Sequence, residues 1–597
     1  MAELSPWEAT LFVAAANGET AKIQEELDKG EDVNSADFEY GRSPLFWAAE
    51  RGHDEAVQLL IKRGANVNAV EASCGRTPLL QAVVQGHEAV MRYLLDADAC
   101  VETYDTSGEG PLLSATRKGR SHLVELLLKA GADPDVRDWH SGRTPLLLAA
   151  KRGDEDTVKV LLNSNASVDL LDESGRSPLS WAIERSHDSI VNLLMERSTL
   201  ECGQESALHS AATTEDATVI LQELLEKTGA NLDARLDKSR TLLMEAAYHN
   251  CEEHVSLLLQ RGAEPGLRDK DGRAALSFAA EQGQLTSVRL LLEKGVSADQ
   301  IDGKGRTPLS WAAEGGHTEV VRLLMEKNAS LDLGDEWGRT PLSWAIENGH
   351  IELAQLLLEK GVNPDSKDED GRTPLSWAAE KEHVELVQLL LEKGVNADSQ
   401  DNYGRAPLSY ASEIGQEEIV TLLLEKDADP NPRETDGNER FPICWAVEGN
   451  HDAVVRLLLG KGASLNACLD HCTPLMMAFE NDDYDMVKLL IENGADTYNY
   501  LGNDGVLCLA AERGLEKMVG LFLRQDAESN EVKTDHMWSA LICAACEGHE
   551  TIVKMLLDQG SYYTDGGYSE PYSQAKDNGH DNVARLFEPY LAQDRDE

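Results

Sequence analysis

The sequence predicts an all-α solenoid of about 18 helix-turn-helix repeats joined by short β-hairpin-like loops. Two observations carry the prediction. Leu276, Leu309, Leu342, Leu375 and Leu408 stand 33 residues apart in nearly repeating text, as in Gly305-Arg-Thr-Pro-Leu-Ser-Trp-Ala-Ala-Glu314 and Gly371-Arg-Thr-Pro-Leu-Ser-Trp-Ala-Ala-Glu380. The register also continues both ways. Upstream it passes through Leu243, Leu208, Leu179, Leu146, Leu112, Leu79 and Leu45 to Leu11. Downstream it passes through Ile443, Leu475, Leu507 and Leu541 to a poorly matched Tyr572. Copies at this period account for nearly all 597 residues and leave almost no length for a separate domain.

Each copy reads as two short helices and a turn. Thr307-Pro308 opens the first helix, because the hydroxyl caps free amides and proline fits the first turn. Ala312 and Ala313 let neighbouring helices approach, and Gly315-Gly316 ends the helix. Val320, Val321, Leu323 and Leu324 then mark the second helix at helical spacing, and the polar run from Lys327 to Asp332 leads to the next turn. Neither helix is long enough to be stable alone. Stacked copies share one core, and their stability is roughly a sum over neighbours.

Along the chain, Thr10-Leu11 begins an N-terminal cap, and Phe587-Glu-Pro-Tyr-Leu591 ends a degenerate C-terminal one. Between Leu179 and Leu208 the step falls to 29 residues, and Ser198-Thr-Leu-Glu-Cys-Gly-Gln204 replaces the usual approach to the turn. A kink or boundary is expected there, dividing an N-terminal sub-array, 1–197, from a C-terminal one, 198–597. A second irregularity is the longer polar loop from Asp429 to Asn438.

The pattern Gly-x-Thr-Pro-Leu-x-x-Ala-Ala-x-x-Gly-His, followed by Leu-Leu and Gly-Ala-x-x-Asn, resembles the ankyrin repeat and recurs in register over essentially the whole chain. The Pro-Leu-Ser-Trp-Ala-Ala-Glu wording resembles arrays common in filamentous fungi. The resemblance implies a curved right-handed solenoid, with hairpin tips and inner helices lining a concave groove and outer helices forming the convex back. It also implies that residues at the tip, and those just after the paired alanines, face the groove.

The net charge of −51 disfavours duplex nucleic acid and anionic membrane as general partners and favours basic ones. Residues 1–200 hold 20 Lys and Arg against 33 Asp and Glu; the other 397 hold 35 against 73, so the first third is the less acidic part. No apolar run reaches membrane-spanning length, and Met1-Ala-Glu-Leu-Ser-Pro-Trp-Glu8 lacks the basic start of a signal peptide. Ten cysteines without a framework point to a reducing compartment, hence a cytoplasmic or nuclear protein.

Two ladders are expected in the middle copies: Arg273, Arg306, Arg339, Arg372 and Arg405 beside Glu281, Glu314, Glu347, Glu380 and Glu413, pairing along the groove. The first six copies break the rule, with Glu50, Glu109 and Glu184 as nearby exceptions. Arg51, Arg117, Lys118, Lys151, Arg152 and Arg185 take the groove positions, with Arg42, Arg76, Arg143 and Arg176 at the hairpins and Trp139 and His140 at an enlarged tip. A cationic groove with an exposed aromatic suits an acidic or phosphorylated segment. Tyr40, Trp337 and Tyr403 are further aromatic anchors at tips. Trp47, Trp181, Trp311, Trp344, Trp377 and Trp445 are expected in the core.

No cofactor or metal site is expected. The recurring histidines, His53 to His580, belong to different repeats and cannot converge. Cys468, His471 and Cys472 share one hairpin but lack an evident fourth ligand. Cys543-Ala-Ala-Cys546 has redox spacing, but its alanines are the repeat's small pair, which places Cys543 in the core. His-Glu-x-x-His and Gly-x-x-x-x-Gly-Lys-Ser/Thr motifs do not occur. The expected function is a non-enzymatic protein-interaction scaffold. The alternative is a substrate-recognition adaptor or inhibitory subunit of an enzyme complex. A basic segment is expected against the acidic C-terminal two-thirds, and an acidic or phosphorylated one against the N-terminal groove.

Overall fold

A computed structural model describes residues 10–197, 204–235, 239–435, 440–466, 473–496, 505–528, 534–559 and 568–593. These residues form 36 α-helices and no strand. The helices pair in chain order into 18 repeats, each an inner helix followed by an outer one, from Thr10–Asn17 with Thr20–Asp28 to Ser569–Asp577 with Asp581–Gln593. They fall into two compact units, Met1–Val296 with repeats 1–9 and Ser297–Glu597 with repeats 10–18.

Repeat 10 has inner helix Pro308–Glu314 and outer helix Thr318–Glu326. Thr307 caps the inner helix by accepting from the Ser310 amide at 3.1 Å, and Pro308 fills the first turn. Gly316 ends it at φ +72°, where a Cβ would also meet the His350 ring at 2.6 Å, so the position needs glycine twice over. The His350 Nε2–H donates to the Glu314 carbonyl of repeat 10 at 2.8 Å. His53 and His87 make the same bridge in the first unit. These histidines therefore tie each repeat to the one before it.

Within each unit the inner helices stack in register. Pro308–Glu314 packs on Pro341–Glu347, which packs on Pro374–Glu380, and outer helices do likewise, as Val384–Glu392 on Glu417–Glu425. Leu309, Ala312, Ala313, Val320, Val321 and Leu324 are buried between them, as the helical spacing predicts. The hairpin-like loops close with backbone bonds such as Asp302 N–H to the Arg306 carbonyl at 3.0 Å and Gly305 N–H to the Asp302 carbonyl at 3.1 Å, and touch tip to tip, as Glu336 N–H to the Lys304 carbonyl at 2.9 Å. That pairing is too short to count as sheet.

The irregular step at residues 198–203 lies outside the described residues. The inner helices flanking it, Pro178–Glu184 and Gln204–Thr213, pack against each other inside the first unit. Residues 436–438 of the longer polar loop and the Cys468, His471 and Cys472 group also lie outside. Cys543 is half-buried rather than a core residue, because the inner helix of repeat 17, Thr534–Glu547, turns that side only partly inward. Among the described residues no helix is long and apolar enough to cross a membrane.

Candidate functional site

The inner-helix face of repeats 10–14 carries a column in which arginines alternate with aromatic rings. The Arg306 guanidinium lies 3.5 Å from the Trp311 ring centre and 4.1 Å from Trp344. Arg339 sits between Trp344 and Trp377 at 3.7 and 4.4 Å, Arg372 between Trp377 and Tyr410 at 3.7 and 4.5 Å, and Arg405 between Tyr410 and Trp445 at 4.2 and 4.5 Å. Flat guanidinium groups stack on rings in a way an ammonium cannot. Arg306 pairs with Glu314 at 2.6 Å, and Arg339, Arg372 and Arg405 pair with Glu347, Glu380 and Glu413. In repeat 9 of the first unit, Arg273 pairs with Glu281 at 2.5 Å and lies 4.0 Å over Phe278. The two expected ladders thus close on each other.

The tryptophan stripe corrects the expectation of plain core. Trp181 and Trp344 are buried, but Trp47, Trp311, Trp377 and Trp445 are half-buried, because arginines rather than aliphatic side chains cover them. Each indole N–H also has an acidic partner in the preceding turn: Trp311 with Asp302 at 3.1 Å, Trp344 with Asp335 at 3.1 Å and Trp377 with Asp368 at 3.0 Å. These aspartates are the residues that sequence reasoning missed. Asp302 also accepts from the Lys304 and Arg306 amides at 2.9 Å each, so it organises the turn as well as the ring. Their signal was present as Asp-x-x-Gly-Arg in successive copies. Tyr410 takes the tryptophan place in repeat 13; its burial and its bond to Asp401 hold its hydroxyl well above the usual phenol range.

In repeats 2–6 the hairpin arginines are also engaged. Arg42 pairs with Glu71 at 2.8 Å and Glu50 at 3.3 Å, Arg76 with Asp105 at 3.2 Å, Arg143 with Asp172 at 3.4 Å, and Arg176 with Glu184. Arg117, on the inner helix, reaches Glu109 at 3.1 Å. The remaining groove cations behave differently. Arg51, Lys118, Arg152 and Arg185 are exposed, Lys151 is half-buried, and among the described residues none has a carboxylate within ion-pair distance. Arg152 donates to the Arg117 carbonyl. Lys151 lies 4.0 Å over the Trp181 ring, and burial, with Arg143 and Arg185 nearby, pushes its pKa down. The structure therefore separates a paired set of arginines from five cations without an ion pair among the described residues.

Among the tip aromatics, Trp139 is 64% exposed, Tyr403 and Trp337 are exposed, and Lys304 lies 5.2 Å over the Trp337 ring. Tyr40 is half-buried because Arg42 stacks on it at 4.7 Å. Tyr104 stands 6.1 Å from Trp139, centre to centre; burial and its bond to Glu102 push its hydroxyl up to about 12. A cavity of about 830 Å³ in the first unit is lined by Arg176, Glu205, His209, Thr213, Arg235 and His249 among others. Among the described residues no group of three His, Cys, Asp or Glu side chains is placed to hold a metal.

The family model described as ankyrin repeats (3 copies) matches residues 11–105, 68–138, 112–206, 197–269, 276–368, 360–434 and 430–500, and the single ankyrin repeat model matches 536–564. Curated relatives share shorter stretches. Ankyrin repeat domain-containing protein SAT10 of Stachybotrys chartarum is 36% identical over 105 residues, which is 18% of this chain and 5% of that protein. Ankyrin repeat and SAM domain-containing protein 6 of Rattus norvegicus is 33% identical over 89 residues, 15% of this chain and 10% of its own length. Ankyrin repeat and KH domain-containing protein mask-1 of Caenorhabditis elegans is 38% identical over 73 residues, 12% of this chain and 3% of its own. The matched stretches thus span 10% or less of these relatives.

Proposed function

The chain belongs to the ankyrin-repeat family, and from that premise we propose that it is a non-enzymatic scaffold holding partner protein segments along its inner-helix face. Ankyrin repeats suggest a protein–protein interaction module; which partner is held depends on the side chains of that face. The observation that carries the reading is the contrast along it. In repeats 10–13 the face arginines are each matched by a glutamate, whereas Arg51, Lys118, Lys151, Arg152 and Arg185 of repeats 2–6 have no carboxylate partner within ion-pair distance among the described residues. Unneutralised cations on a stacked, preorganised surface favour an acidic or phosphorylated segment at little ordering cost.

The column of repeats 10–13 suits the opposite partner. Each repeat sets one arginine against one face glutamate and one turn aspartate, buried at Asp302, Asp335 and Asp401 and half-buried at Asp368, so these three positions together carry an excess negative charge. A basic segment fits there. The ten scattered cysteines suit a reducing compartment, which places the scaffold in the cytoplasm or nucleus.

The test is affinity purification with mass spectrometry, comparing the native chain with a Lys118→Glu, Lys151→Glu, Arg185→Glu variant. The variant should lose a set of partners that share acidic or phosphorylated segments and keep the rest. An unchanged partner set would sink the assignment of the N-terminal face.

A further inference from the structure

Four consecutive loops of the first unit each carry a large apolar side chain facing solvent: Phe38 in repeat 2, Val70 in repeat 3, Tyr104 in repeat 4 and Trp139 in repeat 5. Phe38 is 93% exposed. The row stops at repeat 6, where the tip residues are Glu173 and Ser174.

The outward placement follows from the turn. Glu71, Asp105 and Asp138 are buried and hold the hairpin arginines or the turn's own polar groups. Side chains alternate along extended backbone, so the residue just before the inward acid points away from it, while Trp139 after it stands in the turn itself. Val70 and Tyr104 precede it; Trp139 follows it. Trp139 lies across the tip of repeat 4, where a Cβ on Gly108 would meet its ring at 2.3 Å, and Tyr104 stands beside it. The two rings form one apolar surface that the fold does not use.

This row overlaps the cations of repeats 2, 4 and 5, but lies at the opposite end of the inner helices. The tips lead into the helix N-termini, whereas Arg51, Lys118 and Lys151 stand at or just past the C-termini. Inner helices of 7 or 8 residues are about 11–12 Å long at 1.5 Å per residue. A strip of about that width, apolar along one edge and cationic along the other, matches the 10–12 Å diameter of an α-helix with its side chains. Stacked helices sit about 8–10 Å apart, and the upper end of that range approaches the rise of about 10.5 Å over seven helical residues.

We infer that repeats 2–5 dock an acidic amphipathic helix of about 20 residues, whose apolar side chains recur every seventh position against Phe38, Val70, Tyr104 and Trp139 while its carboxylates meet the cations across the strip. The inference rests on the acidic-partner reading of this face and adds the apolar edge and the helical form to it.

The test uses the full chain and a fluorescein-labelled synthetic peptide of about 20 residues, with leucines at heptad spacing and glutamates on the opposite face. The controls are a scrambled peptide of the same composition, a polyglutamate of the same length and a phosphoserine peptide without large apolar residues. Anisotropy titrations should give the heptad peptide at least tenfold tighter binding than every control, with a gain of helical circular dichroism. A Phe38→Ser, Trp139→Ser variant should weaken it at least tenfold; both side chains are exposed, and an unchanged thermal melt verifies the fold. Equal binding of polyglutamate or of the phosphoserine peptide, or an unaffected tip variant, overturns the amphipathic helix and leaves the acidic-partner reading standing. Unaffected binding by a Lys118→Glu, Lys151→Glu variant overturns that reading as well. No binding of the heptad peptide at about 100 μM also overturns the inference.

Discussion

At the scale of single residues, the turn acids decide most of the local geometry. Asp105, Asp138 and Asp172 are buried, which by itself raises a carboxyl pKa, but hydrogen bonds from Ser107, Ser141 and Ser174 and from turn amides outweigh burial and hold all three below the usual range. A native pKa below the unfolded one gives stability that is fully present above about pH 4 and is lost as pH falls through the native value. Wild-type midpoints should therefore drop on acidification from pH 5 to pH 3, and Asp138→Asn should start less stable at pH 7 yet drop by less. Parallel pH curves for the two proteins would remove Asp138 from the account. The cations of repeats 2–6 stood out in the sequence because unlike residues stood where the repeat predicts a glutamate. What was not legible was which cations keep their charge unmatched. Arg117 and Lys118 look alike as neighbours, and only the fold brings Glu109 to one of them. The alternation of Arg339 with Trp344 and Trp377 was hidden similarly, since the rings come from two repeats.

At the scale of the element, repeat 13 contains a natural defect. Ala406 stands where Thr307, Thr340 and Thr373 cap the inner helices of repeats 10–12, and its helix Pro407–Ile414 has no side-chain cap. The Ser409 hydroxyl beneath it is buried without a hydrogen-bond partner, whereas its counterpart Ser310 meets Thr307 at 3.0 Å. The backbone at Ala406, φ −95° and ψ 164°, matches Thr373 at φ −96° and ψ 164°. Ala406→Thr should therefore supply a cap and satisfy the hydroxyl, slowing amide hydrogen exchange in 406–414 by about fivefold, as a cap worth about 1 kcal/mol requires. Unchanged exchange there would mean that the site has no room for the added methyl and hydroxyl. Elements of this kind were the legible part of the fold. The Thr-Pro start, the paired alanines and the Val-Val-x-Leu-Leu run each encode one local event, and 33-residue repetition confirms the reading many times over. Legibility fails where the repeat departs from itself, as at the 29-residue step before Leu208. There one copy supplies no second instance to read against.

At the scale of the whole molecule, two electrostatic effects oppose each other. A net charge of −51 makes the folded chain repel itself, while ion pairs run through both units. Salt weakens both, but unequally. The long-range repulsion acts between exposed carboxylates through water, where the Debye length shortens from about 30 Å at 0.01 M to about 4 Å at 0.5 M. The column pairs are better protected: the Arg306 side chain is only 5% exposed, and Arg339, Arg372 and Arg405 are similarly enclosed between rings. Exposed pairs such as Lys29 with Glu25 contribute little to begin with. Repulsion should therefore be screened more than attraction. The midpoint of thermal unfolding should rise by several degrees between 0.01 M and 0.5 M sodium chloride, a salt without the strong exclusion effects of sulfate. A midpoint that falls over the same range would reverse the ranking and make the ion pairs, not the long-range repulsion, the dominant salt-sensitive contribution.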